Sequence, residues 1–214
     1  VGGDYYDFLD LGRERFGLVI ADISGKGTAA ALLMANLQAH LHNQCATYWS
    51  RPFIPFALEQ PDRFLRSVNR LFYENTTDET YATLFFAEYH DPMQGLRYAN
   101  CGHLAALIVR RDDGLDRLES TGPALGLFRE WNGSSGECRL DPGDTLALYT
   151  DGVTESFNDA GEEFGEQRLV EALLRHRQRS SQDLLASVVE EVQRFNPHQQ
   201  HDDITLIVAK RSAD

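Results

Sequence analysis

Helical periodicity in this chain is confined to two separated pairs of segments, and that placement constrains the fold more than any other feature. In the first pair, Ala30, Leu33, Met34, Leu37 and Leu41 share one helical face behind Thr28, a candidate N-cap. After a loop over 48–61 that contains Pro52, Pro55 and Pro61, Phe64, Leu65, Val68, Leu71 and Phe72 form the stripe of its partner. The second pair carries Leu169, Val170, Leu173 and Leu174, then Leu184, Leu185, Val188, Val189 and Val192. Ser180 precedes the last of these, with Asp183 three residues on in a loose capping-box pattern. Each helix has one apolar face, so each belongs in an outer layer with that face turned inward.

What separates the helix pairs reads as strand. Residues 4–11 and 14–23 form a hairpin about Gly12–Arg13. Runs at 81–89, 95–101, 104–110 and 116–119 are divided by Asp91-Pro92, Gly102-His103 and Asp113-Gly114, all turn signals. A strand pair is expected over 134–140 and 144–150, and a last strand over 204–209. Strands run together in this way favour antiparallel sheets over alternating βαβ units. The expected fold is α+β, a four-layer α-β-β-α sandwich of two mostly antiparallel sheets flanked by helix pairs. With 214 residues, one domain spanning 1–214 can bury its core without disulfide or zinc staples.

Charge excludes one class of partner. Acidic residues outnumber basic ones 33 to 20, and no clustered basic stripe is visible, so nucleic acid is not expected. The longest mostly apolar run, Thr28 to Leu41, is shorter than the roughly 20 residues a membrane helix needs, and no secretory leader is visible. Cys45, Cys101 and Cys138 are odd in number and widely spaced, matching neither a disulfide framework nor a zinc site. Buried free thiols in a reducing compartment fit them, which makes a cytoplasmic location the expectation.

Four acidic segments carry the chemistry: Gly2-Gly3-Asp4-Tyr5-Tyr6-Asp7, Ala21-Asp22-Ile23-Ser24-Gly25-Lys26-Gly27, Tyr149-Thr150-Asp151-Gly152-Val153-Thr154-Glu155 and His201-Asp202-Asp203-Ile204-Thr205. Each sets an aspartate at or beside the end of an expected strand. Carboxylates gathered at strand ends repel unless a cation offsets them, and oxygen-only donors favour hard ions such as Mg²⁺ or Mn²⁺. An aspartate at a strand exit is also an ordinary turn former or helix cap. Spacing alone leaves both readings open.

The four segments, in this order, resemble the SpoIIE/RsbU branch of the PPM-type metal-dependent protein phosphatases. The resemblance runs from residue 2 to about 209 and includes Asn100-Cys101-Gly102-His103 and Gly122-Pro123-Ala124-Leu125-Gly126-Leu127. It implies an α-β-β-α sandwich and two Mn²⁺ or Mg²⁺ ions. By that similarity Asp22 bridges the metals and the Ile23 carbonyl adds an oxygen. Asp151 and Asp202 hold one metal and Asp4 reaches the other, directly or through water, with Asp203 the alternative at the last motif. These aspartates are then the catalytic residues of a protein serine/threonine phosphatase, in which a metal-bridging water attacks phosphoserine or phosphothreonine directly. The substrate implied is a phosphorylated STAS-domain anti-anti-sigma factor in partner-switching signal transduction. An upstream sensor or receiver domain in a longer regulatory protein is implied as well, and a second copy in a homodimer is admitted as a partner. The alternative is a catalytically silent PPM-like module for binding or dimerisation, which loss of a metal aspartate would favour; none of the four is missing.

Other residues read as bland. Lys26 fails the P-loop pattern on both sides, since residue 20 is Ile and residue 27 is Gly, and reads as a solvated lysine on a tight turn, with a phosphate contact beside the expected metals as the alternative. His103 is expected to tie a hairpin turn, and His40 and His42 point different ways on a helix. His198 and His201 gain no ligand role from the resemblance. Cys101 is expected in the core.

Overall fold

The opening hairpin forms β1 (Asp4–Gly12) and β2 (Arg15–Ile23), paired antiparallel from Asp4 opposite Asp22 to Gly12 opposite Arg15. The computed structural model describes residues 2–12, 14–49, 60–76, 80–196 and 203–212. Contacts divide the chain into two units, Val1–His103 with Glu119–Arg139 and Leu104–Leu118 with Leu140–Asp214.

In the first unit β2 pairs with β3 (Ala82–His90), β3 with β4 (Gly95–Cys101) and β4 with β7 (Gly136–Arg139), all antiparallel. Helices α1 (Thr28–Trp49) and α2 (Pro61–Glu74) pack their stripes on this sheet. Alternation along the strands turns Val19, Ala21, Leu84 and Phe86 toward the helices, where the rings of Phe64 and Phe86 lie 4.8 Å apart. Burial of Val19, Leu84 and Phe86 contributes on the order of 1.5–3 kcal/mol each.

The second unit holds a four-stranded sheet in the order β6 (Leu115–Leu118), β5 (Ala106–Val109), β8 (Thr145–Tyr149), β9 (Leu206–Lys210). Helices α4 (Gly165–His176) and α5 (Ser181–Phe195) cover it, with Leu107, Ala147 and Tyr149 in one core with Leu169, Leu173 and Val188. Ser180 caps α5 as expected: its Oγ accepts from the Asp183 N–H at 3.1 Å. A four-residue helix, α3 (Asp151–Thr154), follows β8 directly. The α+β class therefore stands, with two antiparallel sheets that each carry a helix pair.

Four local expectations need correction. The segments at 134–140 and 144–150 are not partners, because β8 is buried throughout and both its edges are taken by β5 and β9. β7 pairs instead with β4, in the other sheet. Gly102-His103 is not a hairpin turn either; it is where the chain leaves the first sheet for the second. Pro61 does not end a loop but opens α2, where its missing N–H costs nothing. On the same helix Leu71 is only half-buried while Asn69 is fully buried. Among the described residues, no helix is long and apolar enough to cross a membrane.

Candidate functional site

Each unit carries part of the expected ligand set, placed by strand pairing. In the first, Asp4 opens β1 directly opposite Asp22 near the end of β2, and Ile23 closes that strand. The Ile23 N–H donates to the Gly3 carbonyl at 3.2 Å, which holds the two strand ends level. Gly3 matters for what it lacks. A Cβ at that position would lie 2.7 Å from the Ile23 carbonyl oxygen and 2.9 Å from Asp22 Oδ1. Two of the oxygens expected to bind metal thus border one small space that glycine keeps open.

The backbone then turns sharply. Gly25 (φ 98°) and Gly27 (φ 79°) adopt left-handed conformations that other residues take only under strain, and α1 starts at once. Ser24 pins this turn to the neighbouring segment: its N–H donates to the Tyr81 carbonyl at 2.9 Å, and its Oγ accepts from the Tyr81 N–H at 3.0 Å. Lys26 is exposed on the turn.

A polar chain, buried at Asn100 and His103, leads to the Asp22 backbone. Thr83, the cross-strand partner of Asp22, brings its Oγ1 within 3.5 Å of the Asp22 carbonyl and 2.9 Å of His103 Nδ1. The His103 N–H donates to Asn100 Oδ1 at 2.8 Å, and Asn100 exchanges bonds with Thr121. His103 therefore ties a chain segment, as expected, although the segment is a crossover and not a hairpin. Cys101 packs in the core, where burial pushes its thiol well above the ordinary range.

β1 is also fastened to α1. Asp7 accepts from the Tyr5 hydroxyl at 2.6 Å and lies 2.5 Å from His42 Nε2. Burial works to raise the Asp7 carboxyl, but the hydrogen bonds from Tyr5 and His42 outweigh it and hold the group below its usual value. Burial and the Asp7 contact push the Tyr5 phenol upward, and burial takes the neighbouring Cys45 thiol up to about 12. Residue spacing gave no sign of this cluster, because Asp7 and His42 are 35 positions apart.

In the second unit Tyr149 pairs with Leu206, and the ladder continues one step beyond the strands. The Thr150 N–H donates to the Thr205 carbonyl at 3.1 Å and the Thr205 N–H to Thr150 Oγ1 at 3.2 Å. Asp151, half-buried, follows as the first residue of α3, and Asp203 is exposed two residues before Thr205. Asp202, like His198 and His201, lies outside the described residues.

The donor chemistry suits a hard divalent cation. Asp4 and Asp22 set like charges across one antiparallel pair, an arrangement that is unfavourable alone and relieved by a cation, and the Ile23 carbonyl adds a neutral oxygen. Among the described residues no group of three His, Cys, Asp or Glu side chains comes together as a metal cluster. The structure brings Asp4, Asp22 and Ile23 together, and it sets Asp151 beside the approach to β9.

Comparison with known proteins extends this geometry. The family model for Stage II sporulation protein E (SpoIIE) matches residues 12–212. The phosphoserine phosphatase RsbU of Bacillus subtilis (strain 168) is 29% identical over 214 residues, which is 99% of this chain and 60% of RsbU. The chain thus spans under two thirds of that relative's length. Among solved structures, the SiaA-PP2C domain of Pseudomonas aeruginosa superposes with a TM-score of 0.83 at 20% identity, over 98% of this chain and 81% of that one. The RsbU and RsbW domains of a Mycobacterium tuberculosis protein give 0.81 at 25% identity, over 100% of this chain and 56% of that one.

Proposed function

Because the chain belongs to the SpoIIE family, we propose that it is a protein serine/threonine phosphatase domain that removes phosphate from phosphoserine or phosphothreonine on a protein partner. One observation carries the reading: Asp4 faces Asp22 across the first hairpin, and the Asp22 and Ile23 oxygens border the space left by Gly3. The whole chain is read as one such domain of a longer cytoplasmic protein with an upstream sensor or receiver domain.

In this proposal Mn²⁺ or Mg²⁺, two ions in all, would be held by Asp4, Asp22 and the Ile23 carbonyl of the first unit and by Asp151 and Asp202 of the second. Such ions, when bound, activate water near neutral pH and neutralise the phosphoryl oxygens. The chain's own part is to position. The ladder holds Asp22 and Asp4 at one level, the Ser24–Tyr81 bonds fix the turn that follows, and Thr83 with His103 holds the backbone behind Asp22. No side-chain nucleophile is required, which agrees with Cys101 being buried and protonated. The substrate is inferred to be a phosphorylated STAS-domain anti-anti-sigma protein; RsbU's own name, phosphoserine phosphatase, supports the substrate class.

The test is Mn²⁺-dependent release of phosphate from a phosphorylated STAS-domain protein by this chain and by Asp22→Asn and Asp151→Asn. Turnover in the parent and its loss in both variants is the expected result. Turnover that both variants retain would refute the ligand assignment. Stabilisation by Mn²⁺ without any turnover would favour a silent binding module.

A further inference from the structure

The second unit holds a cavity of about 490 Å³ lined by Arg111, Arg177, Arg179, Lys210 and Arg211, with Ser181 at its edge. So concentrated a positive surface is unexpected on a chain of net charge −13. It is assembled from three places: the turn after β5, the link between α4 and α5, and the end of β9. Of the five cations only Arg177 has a carboxylate partner among the described residues, Asp113 at 2.6 Å. Arg179 donates to Ser187 Oγ, Arg211 to the Leu140 carbonyl, and Lys210 Nζ to the Arg177 and Arg179 carbonyls. Those bonds are to neutral groups, so among the described residues four of the five positive charges have no carboxylate at ion-pair distance.

Structural duty explains only part of this. Arg177 and Lys210 sit at the C-terminal end of α4, where cations offset the helix dipole. Arg111 and Arg211 serve no such end, and Arg111 makes no side-chain hydrogen bond among the described residues. The same cavity meets the start of the 15-residue helix α5. There the Ser181 and Gln182 N–H groups have no acceptor within the helix; Ser181 lines the cavity, while Gln182 and Asp183, the latter held by Ser180, stand next in the chain behind it. The cavity opens at the Thr145–Lys210 end of the sheet, whereas Asp151 follows the other end of β8, roughly 20 Å away at about 3.3 Å per strand residue. It is separate from the candidate metal ligands of this unit.

We propose that this cavity binds a soluble phosphate-bearing ligand, its oxygens taken by Arg111, Arg179, Arg211 and the first N–H groups of α5. Guanidinium groups with a helix start match a multiply charged tetrahedral oxyanion better than a single carboxylate. The volume falls in the range of small-molecule sites.

The probe is inorganic pyrophosphate, titrated into the 214-residue chain carrying Asp22→Asn in the presence of EDTA, at constant ionic strength. Saturable shifts of the Ser181 and Gln182 amide resonances are expected. Affinity should fall roughly tenfold or more in Arg179→Gln/Arg211→Gln, since two charge-assisted bonds are lost. Arg111→Gln, on an exposed side chain, gives the same reading should the double variant fold poorly. No saturable shift, or equal affinity in the variants, overturns the proposal. Saturation by a polyglutamate peptide alone, or by phosphatidate vesicles alone, overturns it in favour of an acidic protein segment or a membrane surface.

Discussion

Gly3→Ala isolates the first half of the candidate site without touching a carboxylate. Gly3 is not in the left-handed region, so the added methyl acts by contact alone. At 2.7 Å from the Ile23 oxygen and 2.9 Å from Asp22 Oδ1 it is several tenths of an ångström too close to both. The Ile23 oxygen belongs to a strand and cannot swing aside as a side chain would. Overpacking of this kind costs about 1–3 kcal/mol, so the metal-free variant should lose stability at the lower end of that range. On the proposed reading the larger effect falls on metal binding, because the two oxygens proposed as donors would be displaced and the space they border filled. Disturbing the supports of a ligand already costs roughly 10–100-fold in affinity, and moving donors should cost at least as much. At saturating Mn²⁺ a 100-fold loss removes about 2.7 kcal/mol of metal-linked stabilisation. Calorimetric Mn²⁺ titration and melting with and without metal measure the two terms separately. Gly95→Ala is the matched control in the same sheet, since its nearest outside atom is 3.9 Å away, and it should change neither. Wild-type Mn²⁺ affinity in Gly3→Ala would refute the reasoning, because the Ile23 and Asp22 oxygens could not then be donors into that space.

Two further substitutions probe the frame around the site. Asn69 is fully buried on α2, donating to the Phe128 and Arg129 carbonyls and accepting from the Gly126 N–H. Asn69→Ala leaves those groups unsatisfied at about 1–3 kcal/mol each, so a loss near 3 kcal/mol is expected in urea unfolding, and a loss under about 0.5 would contradict the bonding. Asp7 is held below its ordinary value in the folded state, so its stabilisation is complete above the unfolded carboxylate range. It is lost as pH falls through the lower folded value. Asp7→Asn should flatten the stability curve below about pH 4, the ordinary aspartate range, and an unchanged acid slope would show that Tyr5 and His42 do not hold the carboxylate.

Much of this was legible in sequence, for reasons that can be named. The helix stripes and the opening hairpin depend on local periodicity and a two-residue turn, and a hairpin's register follows from its turn. Asp4 faces Asp22, however, only because the register shifts by one residue between Asp10 and Gly12, a bulge that the turn alone does not announce. The sheet assignment of β7 was not legible, because it turns on which edge is free: β8 gives up both edges to partners 36 or more residues away. Asn69 was missed because an apolar-stripe reading skips a polar residue, and nothing local shows that a loop nearly 60 positions on needs its amide. The basic cavity was missed for a similar reason. Its cations come from three separate stretches, Arg111, Arg177 to Arg179 and Lys210-Arg211, and only the fold gathers them.

The same logic explains why asparagine substitutions can test chemistry here and not folding. In both units the critical aspartates are set by backbone pairing. Asp4 and Asp22 are fixed by the β1–β2 ladder, and Asp151 by β8 and the Thr150–Thr205 exchange that extends it. Peptide bonds supply that order, and the carboxylates contribute charge. Like charges set directly opposite one another across a ladder are destabilising unless something offsets them. On the proposed reading a cation offsets Asp4 and Asp22 at their level strand ends, beside a glycine that keeps the Asp22 and Ile23 oxygens accessible. If Asp22→Asn keeps the metal-free fold and loses the response to Mn²⁺, the aspartate is there for the ion.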